Sequence, residues 1–187
     1  MRVRILWKSQ QKGFKRIGPG SVVTELPEVM GPGYIEIGDN FRCGGGVRME
    51  AWDRYGEQQF HPEIRIGSDV TLTDRCYLSC TERIEIGDGT LLGRDVFITD
   101  NSHGDRDSLE LPPKKRPLTG KGPVRIGKNV WIGRQVTVLS GVTVGEHAVI
   151  GANSVVNRDI PAYCLAAGNP AKVIRRMKEA PGEDEAE

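Results

Sequence analysis

Aromatic side chains are scarce in this sequence: Phe, Tyr and Trp together make up 6% of its 187 residues. A core built on rings is therefore not expected. A charge imbalance is also lacking, with 26 Lys and Arg against 25 Asp and Glu for a formal charge of +1. This removes any general electrostatic reason for a nucleic-acid or membrane-surface partner. Long apolar runs are missing as well. The opening MRVRILWKSQ offers only Ile5, Leu6 and Trp7, far short of the apolar centre of a signal peptide, and no later stretch approaches a bilayer-spanning length. The expectation is a cytoplasmic protein with no membrane insertion. The four cysteines, Cys43, Cys76, Cys80 and Cys164, include no CxxC pair and are too sparse for a disulfide scaffold. They read as reduced structural thiols.

What the chain has in abundance is turn formers, 24 Gly and 11 Pro. One domain is the default at this length. Aliphatic residues recur every six positions: Ile66, Leu72, Leu78, Ile84, then after a two-residue slip Ile86, Leu92, Ile98, and after a longer interruption Ile126, Ile132, Val138, Val144, Ile150, Val156. Four places on stands, as a rule, a small or β-branched residue: Val70, Cys76, Thr90, Val96, Val130, Val136, Val142, Ala148, Ser154. The residue directly after the aliphatic is often glycine, as at Gly67, Gly87, Gly93, Gly127, Gly133, Gly145 and Gly151. A helix repeats at 3.6 and a half-buried strand at 2, so a period of six with a glycine step describes a short strand followed by a corner. Three hexads close a triangular coil of 18 residues, which puts Val144 over Ile126, Ile150 over Ile132, Val156 over Val138 and, by the same count, Ile84 over Ile66. Successive coils then hydrogen-bond at about 4.8 Å.

This pattern resembles the hexapeptide-repeat acetyltransferase family, whose fold is a left-handed parallel β-helix. Weaker turns at IGPGSV (17–22) and IGDN (37–40) extend the resemblance over most of residues 17–161. Two segments break the period. Residues 104–125, GDRDSLELPPKKRPLTGKGPVR, are rich in charge and proline and are expected to project from the prism. Residues 41–62 read as a second excursion or an irregular coil. After Val156 the chain leaves the prism, and Asn169 followed by Pro170 reads as a helix cap with a first-turn proline, with Val173, Ile174 and Met177 on one face. The expected organisation is an all-β domain over 1–168, a short C-terminal α-helix over 169–180 and a disordered acidic tail over 181–187.

Strand side chains alternate, so the residue before each inward aliphatic points outward. Those residues include Tyr77, Leu91, Phe97, Trp131, Val149 and Val155, an apolar exterior that needs a partner surface. The resemblance implies a homotrimer of parallel prisms with active sites between subunits. His103 takes an outward slot where the long loop departs. The segment TDNSHG (99–104) resembles the Asp-X-X-His-Gly stretch of sugar O-acetyltransferases, including the galactoside and maltose enzymes, in which the histidine is the general base. An alcohol attacking a thioester must lose its proton as the C–O bond forms, and an imidazole titrating near neutrality can accept it, worth roughly 10²- to 10⁴-fold. A backbone N–H can hold the oxyanion, and no acyl-enzyme is required. His61 and His147 read as surface structure. Hexapeptide-repeat carbonic anhydrases bind zinc with three histidines, two of them close in sequence; no two are close here, so no metal is expected.

On the donor side, residues 129–177 resemble the coenzyme A-binding half of these enzymes. That implies Trp131 lining the pantetheine cleft, with Arg134, Ala152, Asn157, Arg158, Lys172 and Arg175 contacting acetyl-CoA. The family often has a small residue where Arg134 stands. Lys172, Arg175 and Arg176 form a cationic cluster able to meet a 3′-phosphate or pyrophosphate; Lys114, Lys115 and Arg116 are either a second such cluster or a soluble loop tip. The family builds its acceptor site from the histidine loop and a preceding coil, here DRCYLSCTER (74–83), which makes Asp74, Arg75, Asp100 and Asn101 the candidates for a saccharide acceptor. The expectation is an acetyl-CoA-dependent O-acetyltransferase acting on a sugar hydroxyl in cell-surface polysaccharide synthesis. The alternatives are an N-acetyltransferase of an amino-sugar nucleotide, a xenobiotic acetyltransferase and a non-catalytic β-helix scaffold.

Overall fold

Each hexad of the sequence becomes one short strand and one corner. In the structure, a computed structural model that describes residues 7–104 and 109–177, the chain winds through three faces of a triangular prism in fixed order. The first face stacks Arg16–Ile17, Ile35–Ile37, Glu63–Ile66, Arg83–Ile86, Val124–Ile126 and Thr143–Val144. The second stacks Val22–Val23, Arg42–Cys43, Thr71–Leu72, Leu91–Leu92, Trp131–Ile132, Val149–Ile150 and Cys164–Gly168. The third stacks Glu28–Met30, Arg48–Ala51, Tyr77–Cys80, Phe97–Thr99, Thr137–Val138 and Val155–Val156. Neighbouring strands within each face run parallel, from Arg16–Ile17 on Ile35–Ile37 to Val149–Ile150 on Cys164–Gly168. Among the described residues no helix is long and apolar enough to cross a membrane.

The core is three inward columns, one per face. Ile37, Ile66, Ile86, Ile126 and Val144 form the first. Cys43, Leu72, Leu92, Ile132, Ile150 and Ala166 form the second, and Met49, Leu78, Ile98, Val138 and Val156 the third. None is more than 4% exposed, and the corner residues Val70, Cys76, Thr90, Val96, Val130, Val136, Val142, Ala148 and Ser154 are buried beside them. Each large aliphatic side chain contributes about 1.5–3 kcal/mol by leaving water. The prism is narrow. Phe41 lies wholly inside it, while Trp7 and Phe14 pack edge to face at its amino-terminal end, centroids 6.0 Å apart. Glycine opens the corner after the first face because the coils nearly touch there: a Cβ on Gly127 would lie 2.6 Å from the Glu146 nitrogen.

The structure corrects four expectations. Ile86, not Ile84, lies over Ile66, and Ile84 lies over Ile64; the slip is absorbed at Thr81 and Glu82, which widen the corner between the third and first faces. Residues 41–51 are not irregular, since Cys43 and Met49 continue the period of six from Ile37 with cysteine and methionine in aliphatic slots. Only 52–62 leaves the coil, carrying the hairpin Arg54–Tyr55 with Gln58–Gln59. The long excursion starts earlier than 104: the chain departs at Asp100, pairs Ser102–His103 antiparallel with Leu118–Thr119, and rejoins at Val124–Ile126.

The fourth correction concerns residues 169–180. Ala171–Arg176 is a strand, antiparallel to Cys164–Gly168. The reversal runs through Gly168 at φ +107 and a cis Asn169–Pro170 bond. The open edge of Cys164–Gly168 offers backbone partners, and Val173 and Ile174 favour extended backbone, so pairing overrides the cap signal. The expected tail over 181–187 lies outside the described residues.

Candidate active site

Three successive coils depart from regularity at the same place, the corner between the third and first faces. The hairpin leaves at 52–62, the next coil crosses by Thr81 and Glu82, and the coil after that throws out the 100–123 loop. Stacking brings hairpin and loop together. The Gln58 side-chain amide is bonded at both ends to the loop, its Nε2 donating to the Leu118 carbonyl at 3.1 Å and its Oε1 accepting from the Leu118 N–H at 2.6 Å. The Tyr55 hydroxyl donates to the Lys114 carbonyl at 2.6 Å.

His103 is exposed on the first strand of the loop. Its ring meets Tyr55 edge to face at 5.4 Å, and its Nδ1 lies 3.4 Å from the Tyr55 oxygen. Trp52 packs on Tyr55 at 6.5 Å. Nearby, the largely buried Glu50 accepts hydrogen bonds from the Tyr77 hydroxyl at 2.6 Å and from Trp52 Nε1 at 3.2 Å; burial, then the hydrogen bond to Glu50, pushes the Tyr77 hydroxyl pKa up. None of Glu50, Trp52, Tyr55 or Gln58 stood out in the sequence. The available signal was a polar–aromatic stretch around Gly56, a hairpin cue.

The four acceptor candidates do not come together in one chain. Asp100 is 2% exposed, and its carboxylate accepts the backbone N–H groups of Thr81, Glu82 and Arg83, each at 2.8 Å. These bonds shape the corner, and the residue also borders the cleft between hairpin and loop. Asn101 is half-buried and donates to the Ser79 carbonyl at 3.2 Å. Asp74 and Arg75 occupy a different corner, between the second and third faces, inside an ion ladder: Asp74 pairs with Arg94, and Arg75 with Asp95 at 2.6 Å. The Gly45 N–H and then Arg94 hold the Asp74 carboxyl below its usual range, Arg75 does the same for Asp95, and Asp95 in turn raises Arg75.

Trp131 is 55% exposed on the second face, in an outward column that runs Thr71, Leu91, Trp131, Val149, Leu165 and ends at Arg175. Trp131 and Arg175 are therefore three strand spacings apart, about 14 Å. Arg134 leans on Asp95 at 3.6 Å, and Ala152 is exposed one coil further along the same corner. Lys172 and Arg176 are exposed on the last strand, whereas Asn157 and Arg158 follow the third face. In the loop, Arg116 is taken up by the Leu111 and Leu109 carbonyls. A triangular prism sets each corner opposite a face, and the corner bearing His103 is opposite the face bearing Trp131.

The remaining histidines sit as surface structure. His147 stacks on Tyr163 at 4.8 Å, and His61 is exposed beside a cleft of about 370 Å³ between hairpin and loop. All four cysteines are free and buried. Among the described residues no three His, Cys, Asp or Glu side chains are grouped to hold a metal.

A prism of stacked hexads with an exposed histidine at the root of a corner loop defines a class, the hexapeptide-repeat transferases. The chain matches the family described as "Bacterial transferase hexapeptide (six repeats)" over residues 123–158. It is 38% identical over 150 residues to "Putative lipopolysaccharide biosynthesis O-acetyl transferase WbbJ" of Escherichia coli (strain K12), a match covering 77% of this chain and 72% of that one. Among solved structures it is similar to a mutant of AntD, an N-acyltransferase from Bacillus cereus in complex with dTDP-4-amino-4,6-dideoxyglucose and coenzyme A, with a TM-score of 0.77 and 20% identity over 93% of this chain and 90% of that one. A maltose O-acetyltransferase from Clostridium difficile 630 has a TM-score of 0.60 and 27% identity over 92% and 75%. The chain belongs to the hexapeptide-repeat family of acetyltransferases, and its fold is the left-handed parallel β-helix.

Proposed function

We propose that the protein is an acetyl-CoA-dependent O-acetyltransferase acting on a sugar hydroxyl of a cell-surface polysaccharide or its precursor, in the cytoplasm, with His103 as general base. The observation behind this reading is the exposed imidazole at the root of the loop, joined to the 38% identity with a relative named for lipopolysaccharide O-acetylation. The acceptor hydroxyl gives its proton to His103 as its oxygen attacks the thioester carbonyl; the C–S bond then breaks, and the proton passes to the departing thiolate of coenzyme A. A main-chain N–H stabilises the oxyanion.

Acetyl-CoA lies along the second face, its pantetheine arm against Trp131 and its phosphates toward Lys172 and Arg175, with Arg134, Ala152, Asn157 and Arg158 as further contacts. Asn101 is retained as an acceptor contact on the loop, and Asp74 and Arg75 approach the acceptor from a neighbouring chain. The opposition of His103 and Trp131 across one prism supports a site shared between two chains. The apolar second face and the stacked Tyr77 and Phe97 on the third, 5.0 Å apart, supply the contact surface of a homotrimer. The first face does not: its outward column Arg16, Glu36, Arg65, Glu85, Arg125 alternates in charge and neutralises itself.

The test is coenzyme A release with paired acceptors that differ only in bearing a hydroxyl or an amine. Turnover confined to hydroxyl sugars is expected. Preference for the amine would replace this reading with N-acetylation, and absence of saturable acetyl-CoA binding by calorimetry would leave a scaffold.

A further inference from the structure

We propose that Tyr55, on the hairpin two coils before the loop, fixes the tautomer of His103 and so decides which imidazole nitrogen receives the acceptor's proton. This rests on the reading of His103 as the base. The phenol has one proton, and its oxygen lies 2.6 Å from the Lys114 carbonyl, which can only accept. The proton is committed there. Toward His103 Nδ1, 3.4 Å away, Tyr55 has only lone pairs to offer. Nδ1 is therefore the donor, because the other tautomer would set a nitrogen lone pair against oxygen lone pairs.

The lone pair of the neutral ring then lies on Nε2, the nitrogen left to act as base. After Nε2 takes the proton, Nδ1 keeps its N–H and the same contact serves the imidazolium. Nothing has to rearrange between the two states. The edge-to-face packing at 5.4 Å fixes the ring plane as well. A hydrogen bond of this length fits a site not yet closed around its substrates.

Tyr55 is a positioning residue, and its hydroxyl is separable from the attachment of hairpin to loop, since Gln58 makes two bonds of its own to Leu118. Tyr55→Phe keeps the ring and removes only the oxygen. The expected result is a fall in kcat of about tenfold or more, a KM for acetyl-CoA within about twofold, and nitrogen-15 shifts of His103 that move away from the Nδ1–H form. Gln58→Ala, which loosens the same junction but keeps the hydroxyl, should leave those shifts unchanged. Wild-type kcat and shifts in Tyr55→Phe, or an equal tautomer change in Gln58→Ala, would overturn the proposal. Full turnover in His103→Ala would instead overturn the base itself, whatever Tyr55→Phe does to the ring.

Discussion

The Asp100 carboxylate holds the backbone N–H of Thr81 at 2.8 Å from the coil above it, and takes the next two N–H groups with its other oxygen at the same distance. One buried side chain thus closes the widened corner on which the hairpin and loop meet. Asp100→Asn is nearly isosteric but turns an NH₂ toward backbone donors. It should lower stability by about 2–4 kcal/mol, read as a drop in Tm. A change within about 0.5 kcal/mol would mean that the corner holds without the carboxylate.

His103→Ala should keep the fold and lower turnover by two or more orders of magnitude. Mixing inactive subunits gives a sharper readout. If each site takes His103 from one chain and Trp131 from the next, a refolded equal mixture of His103→Ala and Trp131→Ala chains contains three quarters mixed trimers, each with one intact site. Roughly a quarter of wild-type activity should return. No recovery, with mixed trimers verified by mass, would place both residues in one chain's site.

Acid should loosen the ion ladder of the second-to-third corner. Asp74 and Asp95 have folded pKa values held below those of the unfolded chain. Their contribution is therefore present above the unfolded value near 3.9 and is lost as pH falls from there through the lower folded values. Tm should decline from pH 5 toward pH 2, less steeply in Asp95→Asn. Both groups are open to solvent, so 0.5 M salt should weaken the effect.

Burial pushes the Cys43 and Cys76 thiols up to about 12 and raises Cys80 as well. A disulfide reagent at pH 8 should leave the folded protein unmodified and titrate all four cysteines once guanidinium unfolds it. As pH rises past the unfolded thiol value near 8.5, the unfolded chain gives up protons the fold retains. Stability should therefore fall with alkali in a pH series of Tm, and fall less in Cys43→Ala.

The prism is legible because its signal is local and redundant: every strand of the three faces from Glu63–Ile66 to Val155–Val156 carries an aliphatic residue in step. Cys43 and Met49 hid one coil only by chemical type. The terminal strand is not legible in the sequence because Asn169–Pro170 is a sound helix cue, and nothing near it reveals the open edge of Cys164–Gly168. Asp100 reads in sequence as polar and close to His103, but its burial depends on main-chain groups of the same corner one coil earlier, 17–19 residues back in the chain. Tyr55 was invisible for a related reason. It stands 48 residues from His103, and the two meet only because three coils are stacked with their irregularities at one corner.

The antiparallel strand Ala171–Arg176 reverses the direction of the second face where a parallel stack would otherwise offer a template for another coil. A second prism docking head to tail on this face would meet backbone groups in the wrong order for parallel pairing. On the second face, strand addition, the route by which a solenoid with an open end grows axially, therefore meets an antiparallel edge instead of the parallel template used elsewhere in the stack.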